Sequence, residues 1–253
     1  MNCEIISSSG KEGNAVLLNG FLLFDCGISW KRLKPYANQI RLVFLTHIHG
    51  DHFNIKTIRK LNQTRPLLRF VCAANLITPL VTQARVPLDK ILLVRPEDEP
   101  GKTHDFLTGT DITMSSFHLL HDVPNVGWIV NVSGGEEPGT AMYATDTHHI
   151  PIAAPGLDLY MIEANYTQED MERRVAAKTE KGVFSYEERV KASHMSLEAA
   201  MDWLRENADP YRSKIVFLHQ HKEAKPEGGS EDDSLDTDLQ QPDTPPEDNQ
   251  PCG

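Results

Sequence analysis

The chain has 253 residues and only four cysteines, Cys3, Cys26, Cys72 and Cys252, with no C-x-x-C pair among them. That scatter argues against zinc knuckles and a disulfide framework, and it fits reduced thiols in a cytoplasmic protein. No stretch approaches the roughly 18–20 continuous apolar residues of a membrane span. The opening MNCEIISSSGKEG lacks a basic region followed by an apolar one, so no secretory signal is expected and a cytoplasmic location is. There is no internal repeat. An extended basic stripe with interleaved aromatics is missing too: Arg173, Arg174 and the segment KTEKGVFSYEERVK mix basic with acidic residues, a weak footprint for a nucleic-acid groove.

Positive charge is the minority over the whole chain, with 25 Lys and Arg against 36 Asp and Glu for a formal net charge of -11. The imbalance sits mostly at the end. From Lys222 onward ten acidic residues face two lysines, so the body is close to neutral and the charge says little about its working face. Residues 223–253 hold few apolar side chains and many Pro, Asp and Glu, a composition that cannot bury enough surface to offset its ordering entropy. The expected organisation is therefore a domain over residues 1–222 and an acidic disordered tail over 223–253.

What is present is a set of short apolar runs. CEIISS, AVLL and FLLFDCG read as strands, with Asn19-Gly20 as a hairpin turn between the last two. RLVFLT, LLRFVCA, KILLVRP, DITMSSFHL, GWIVNV, TAMYAT, LDLYMIEAN and KIVFLH read as further strands. NIKTIRKL, NLITPLVTQA, TQEDMERRVAAKTE and MSLEAAMDWLREN carry helical spacing, the last with Ser193 or Ser196 as its N-cap. Strands dominate and the helices do not alternate strictly with them. The expected class is α/β (α+β), with two sheets covered by helices in a four-layer αββα sandwich.

Directly after the apolar strand LVFL comes THIHGDH, residues 46–52. Imidazole and carboxylate suit Zn²⁺, Mn²⁺ or Fe²⁺. Four donors in one turn are too crowded for a single ion, so they divide between two. His47 and His49 would join His121, in HLLHDVPNVGW, on one ion; Asp51 and His52 would join His219, in KIVFLHQH, on the other; Asp146, in MYATDTHH, would bridge them. His221 competes with His219 as the last ligand. Asp25 suits a carboxylate behind a ligand histidine or a turn cap. His148 and His149 could touch substrate phosphate or face solvent, and Glu163 and Asn165 follow a buried strand that leads toward the cleft. His194, in ASHMS at an expected helix start, is the candidate proton donor to a leaving group, or a phosphate holder.

These motifs resemble the metallo-β-lactamase superfamily and, within it, the YycJ/WalJ-like branch, over most of residues 1–222. THIHGDH resembles the superfamily signature. SSSGKEGNAVLL, LLFDCGIS, HDVPNVGW, YATDTHH, LDLYMIEANY and SHMSLEAA resemble motifs of the branch, although Gln220-His221 replaces its Leu-Ser after the last histidine. The resemblance implies the αββα metallo-β-lactamase sandwich and a dinuclear metal-dependent phosphodiesterase with two divalent ions, Zn²⁺ or Mn²⁺. It would act on nucleic acid as a DNA exonuclease through a metal-bridging hydroxide, with Asp51 orienting the nucleophile. The alternative is a small-molecule phosphodiesterase acting on cyclic nucleotides. Lactamase- or thioesterase-type hydrolysis and a binding module without turnover fit the donor set less well. A β-CASP insert is not expected within these residues.

Overall fold

The computed structural model describes residues 1–96, 111–179 and 187–220; His104, His221 and the tail 223–253 lie outside the described residues. The chain divides into Met1–His221, which contains every described residue, and Lys222–Gly253. One sheet has six strands in the order β1 (Cys3–Ser9), β2 (Gly13–Leu18), β3 (Leu22–Phe24), β4 (Leu42–Phe44), β5 (Arg69–Ala73) and β6 (Ile91–Val94). β1, β2 and β3 run antiparallel, and β3 through β6 run parallel. The β2–β3 turn holds Asn19 at φ 50 and Gly20 at φ 76, the positive pair that a primed hairpin turn requires.

The second sheet has five strands: β7 (Ile112–Leu119), β8 (Asn125–Val132), β9 (Gly139–Ala144), β10 (Leu159–Glu163) and β11 (Lys214–Leu218), in the spatial order β11-β10-β9-β8-β7. β9, β10 and β11 are parallel. The helices are α1 (Trp30–Leu33), α2 (Ile55–Thr64), α3 (Ile77–Thr82), α4 (Gln168–Thr179), α5 (Glu187–Ser193) and α6 (Leu197–Asn207). Among the described residues no helix is long and apolar enough to cross a membrane.

Strand alternation sorts the side chains into layers. On β3, Leu22 and Phe24 join the core between the sheets, while Leu23 joins the outer core beneath α2 and α3. On β9, Ala141 and Tyr143 face inward, while Met142 and Ala144 pack with Ala200 and Leu204 of α6. The fold is thus the expected helix–sheet–sheet–helix sandwich. Its central seam is aromatic: Phe24 stacks on Phe44 and on Tyr143 at 4.9 Å between ring centroids, and Trp128 meets Phe44 edge-on at 5.4 Å.

The parallel strands direct the site. Asp25 follows β3, His47 follows β4 by two residues, Asp146 follows β9 by one, Glu163 ends β10 and His219 follows β11. Contacts between these strand ends cross from sheet to sheet, as between Asp25 and Tyr143. Asp25, Asp146 and His219 all stand at positive φ, 58, 53 and 52, a left-handed step uncommon outside glycine that turns each side chain off its strand end.

Candidate metal centre

The turn from His47 to His52 leaves β4 and enters α2, whose N-cap Asn54 accepts a hydrogen bond from Thr57 N. The turn is held from behind. Asp51 O accepts from Asn14 N at 2.6 Å, and Cys26 N donates to His52 O at 2.9 Å. Gly27 packs so closely that a Cβ built on it would lie 1.6 Å from Asp51 O. Only glycine lets the strand-end loop after β3 approach this turn.

His47, His49 and His121 form the first donor group. His121 Nε2 and His49 Nδ1 are 3.2 Å apart, and the rings of His47 and His121 lie 5.0 Å apart. His47 is wholly buried, and its Nε2 has no hydrogen-bond partner among the described residues. Burial, with His52 beside it, holds the His47 imidazolium well below its usual range; burial likewise lowers His121. Both rings are therefore neutral, the state in which imidazole offers a lone pair.

Asp51, His52 and His219 form the second group. His52 Nε2 lies 3.5 Å from Asp51 Oδ2 and 2.9 Å from Asp146 Oδ2. Asp146 joins both sides, since it groups with His47 and His52 through one set of donors and with Glu163, His194 and His219 through another. Burial disfavours charge on His52, yet Asp146 and Asp25 outweigh it and push the ring up to about 10. The same opposition raises His219 and, from the other side, lowers Asp146. Closely facing carboxylates and imidazoles, with an orphaned buried ring nitrogen at one end, fit divalent cations.

Behind these donors stand residues that fix them. Asp25 is wholly buried and accepts from His52 Nδ1 at 2.7 Å, from Thr46 N at 2.9 Å and from the Tyr143 hydroxyl at 3.0 Å. It therefore sets the His52 tautomer so that Nε2 faces the cleft. Asn165 Nδ2 donates to His219 O, and Ser8 Oγ accepts from His219 N.

All seven expected ligands and His194 fall within these groups. His194 reaches them by an unexpected route. It closes α5, a helix the sequence pattern did not show, with His194 N donating to Val190 O. The following α6 begins at the N-cap Ser196, which accepts from Ala199 N, and Leu197 N is taken by Tyr166 O. These two N–H groups are therefore not free to hold an anion. His194 Nδ1 instead lies 2.6 Å from Glu163 Oε1. Burial lowers its basicity, but the hydrogen bond and charge of Glu163 prevail and raise it. Sequence reasoning gave Glu163 only a place along the cleft; its signal was a lone carboxylate ending the apolar run LYMI. Asp122, which it missed, sits 3.2 Å from His121 Nε2 and pairs with Arg189 of α5 at 2.8 Å. His118 and His149 are exposed, and exposed His148 donates through Nδ1 to Lys191 O.

A family model described as a beta-lactamase superfamily domain matches residues 21–219. No curated protein sequence matches the chain. Among solved structures, the short form of human tRNase Z superposes with a TM-score of 0.59 at 16% identity, over 87% of this chain and 92% of that one. The metallo-beta-lactamase fold protein YhfI from Bacillus subtilis gives 0.56 at 18% identity, over 86% and 85%. A long-form RNase Z from yeast gives 0.52 at 14% identity, over 85% of this chain and 34% of that one. These likenesses show a common fold.

Proposed function

The chain belongs to the β-lactamase superfamily and is a metal-dependent hydrolase of that fold, and from that premise we propose that it is a dinuclear phosphodiesterase acting on nucleic acid, a DNA exonuclease of the YycJ/WalJ-like branch. The carrying observation is the two donor groups with Asp146 clustered against His47 and His52 on one side and His219 on the other, and the His194–Glu163 pair beside His219. His47, His49 and His121 would hold one ion, Asp51, His52 and His219 the other, and Asp146 both. Bound there, two divalent ions, Zn²⁺ or Mn²⁺, would supply Lewis acidity toward phosphoryl oxygens and a nucleophile at neutral pH.

The chain's own residues supply the rest. Asp51 is partly exposed where His52 is buried, so its carboxylate borders the cleft and orients what attacks. His194 commits Nδ1 to Glu163, which leaves Nε2 to meet the substrate. A protonated ring there donates to the departing oxygen, and Glu163 keeps that proton in place. Glu163 is itself fixed, since its Oε2 accepts from Thr147 N at 2.9 Å. Arg189, at the rim on α5, presents a guanidinium to a phosphate backbone while Asp122 steadies it.

The names of two neighbours, tRNase Z and RNase Z, support a nucleic-acid substrate at this fold. A second reading, a small-molecule phosphodiesterase acting on cyclic nucleotides, is favoured by the mixed charge of α4, where Arg173 pairs with Asp170. Both readings share one reaction class, and that class is tested first. The protein loaded with Mn²⁺ or Zn²⁺ should hydrolyse bis(p-nitrophenyl) phosphate far faster than a β-lactam or a thioester, with Asp51→Ala inactive. Turnover of the lactam or thioester alone would overturn the phosphodiesterase reading.

A further inference from the structure

One buried side chain faces the second donor group without a role in it. Asn14 is 1% exposed and is the second residue of β2, at the end of the stretch SSSGKEGN. Its backbone is fully used: Asn14 N donates to Asp51 O, and Gly27 N donates to Asn14 O at 2.9 Å. Its carboxamide is poorly used. Oδ1 has no hydrogen-bond partner among the described residues. Nδ2 makes two contacts at 3.3 Å, to Asp51 O and Asp51 Oδ2, and lies 2.8 Å from His52 Nε2.

The contact with His52 is the informative one. Asp25 accepts from His52 Nδ1, so Nε2 is the ring nitrogen turned to the second donor group. Asp146 Oδ2 stands 2.9 Å from that nitrogen. A positive charge between them, the proton that Asp146 and Asp25 favour on this ring or a metal ion in its place, reconciles the pair. A cation there repels the N–H groups of Asn14 Nδ2 and attracts a carbonyl oxygen. A half-turn about the last side-chain bond exchanges Nδ2 for Oδ1 in the same volume. In the present orientation Oδ1 has no partner among the described residues, so the exchange gives up only the two 3.3 Å contacts of Nδ2 with Asp51. The spacing also suits a ligand: oxygen and nitrogen atoms bound to one ion at roughly 2.0–2.2 Å lie roughly 3 Å from each other.

We propose that Asn14 Oδ1 is a further ligand of the ion held by Asp51, His52 and His219, resting on the two-ion reading above. The two positions then differ in chemistry. The first offers three imidazoles. The second offers the oxygens of Asn14, Asp51 and Asp146 beside two imidazoles, a harder set that takes Mn²⁺ more readily, relative to Zn²⁺, than the first does. Asn14 also ties the opening turn to the cleft, so loading the second position tightens β2 against the His47–His52 turn.

The test is calorimetric titration of the full-length, chelator-stripped chain with Mn²⁺ and with Zn²⁺, for wild type, Asn14→Ala and Asn14→Asp. Thermal unfolding in chelator checks that each variant is folded. In Asn14→Ala the second ion should bind at least tenfold more weakly while the first is unchanged. In Asn14→Asp, which keeps size and supplies an anionic oxygen, the second ion should bind more tightly than in wild type. If Asn14→Ala does not fold, the aspartate variant decides alone, and second-ion affinity equal to or below wild type overturns the proposal. Two ions in wild type with unchanged affinity in Asn14→Ala removes Asn14 as a ligand and leaves the dinuclear reading standing. A single ion in wild type removes both.

Discussion

Glu163 Oε1 and His194 Nδ1 are 2.6 Å apart, and the carboxylate is wholly buried. This short contact joins the end of β10 to the end of α5 and sets the direction of the only expected proton donor. His194→Ala should keep its metal and slow turnover about 10²–10⁴-fold on a substrate with a poor leaving group. The loss should be small with p-nitrophenolate as leaving group, which needs no proton. Glu163→Gln tests the pairing through pH. Glu163 raises the His194 pKa, so the protonated ring survives above its ordinary range near 6.5 and is lost as pH rises through the raised value. Removing the charge should move the basic limb of the kcat/KM profile to lower pH. An unmoved limb would show that His194 is not the titrating acid.

Asp25 gathers four buried donors, His52 Nδ1, Thr46 N, the Thr46 hydroxyl and the Tyr143 hydroxyl. Asp25→Ala removes the acceptor that these groups share. It should cost about 3 kcal/mol or more in chemical denaturation of the metal-free protein. It should also weaken metal affinity roughly 10–100-fold, because the His52 ring is no longer held. A change within about 0.5 kcal/mol, typical of surface substitutions, would contradict this.

Gly27→Ala would place a methyl carbon 1.6 Å from Asp51 O. Backbone must shift, and the backbone in question carries Asp51 and His52. Elemental analysis after purification should show reduced metal content, with the deficit larger than the change in unfolding midpoint would suggest. Full metal content would mean that the turn tolerates displacement.

Removing residues 223–253 should leave the unfolding midpoint and metal content unchanged, since this acidic segment has few apolar side chains to contribute to a core. A large fall in midpoint on truncation would show that the segment is part of the folded unit.

The layered fold was legible because each strand is a short apolar run, and the ligands were legible because several follow such runs closely, as His47 follows LVFL after Thr46 and His219 follows KIVFL. Ser196 rather than Ser193 caps α6 because α5 already occupies Ser193. That helix had no apolar periodicity to announce it; its residues EERVKAS are mostly polar. Its contacts toward the site include a salt bridge from Arg189 to Asp122 and the His148 bond to Lys191 O, both of which depend on distant loops. Glu163 and Asn14 were obscure for a related reason. A single carboxylate or amide in a strand carries no spacing signal, and only the folded arrangement shows what it faces.

The most direct test of the proposed activity is a side-by-side turnover assay on 5′-labelled single-stranded DNA and on a set of cyclic nucleotides, with Mn²⁺ and with Zn²⁺ and with Asp51→Ala as control. The nuclease reading predicts stepwise shortening of the DNA that is lost in Asp51→Ala. Opening of cyclic nucleotides with the DNA left intact would contradict it and assign the same metal centre to a small-molecule phosphodiesterase.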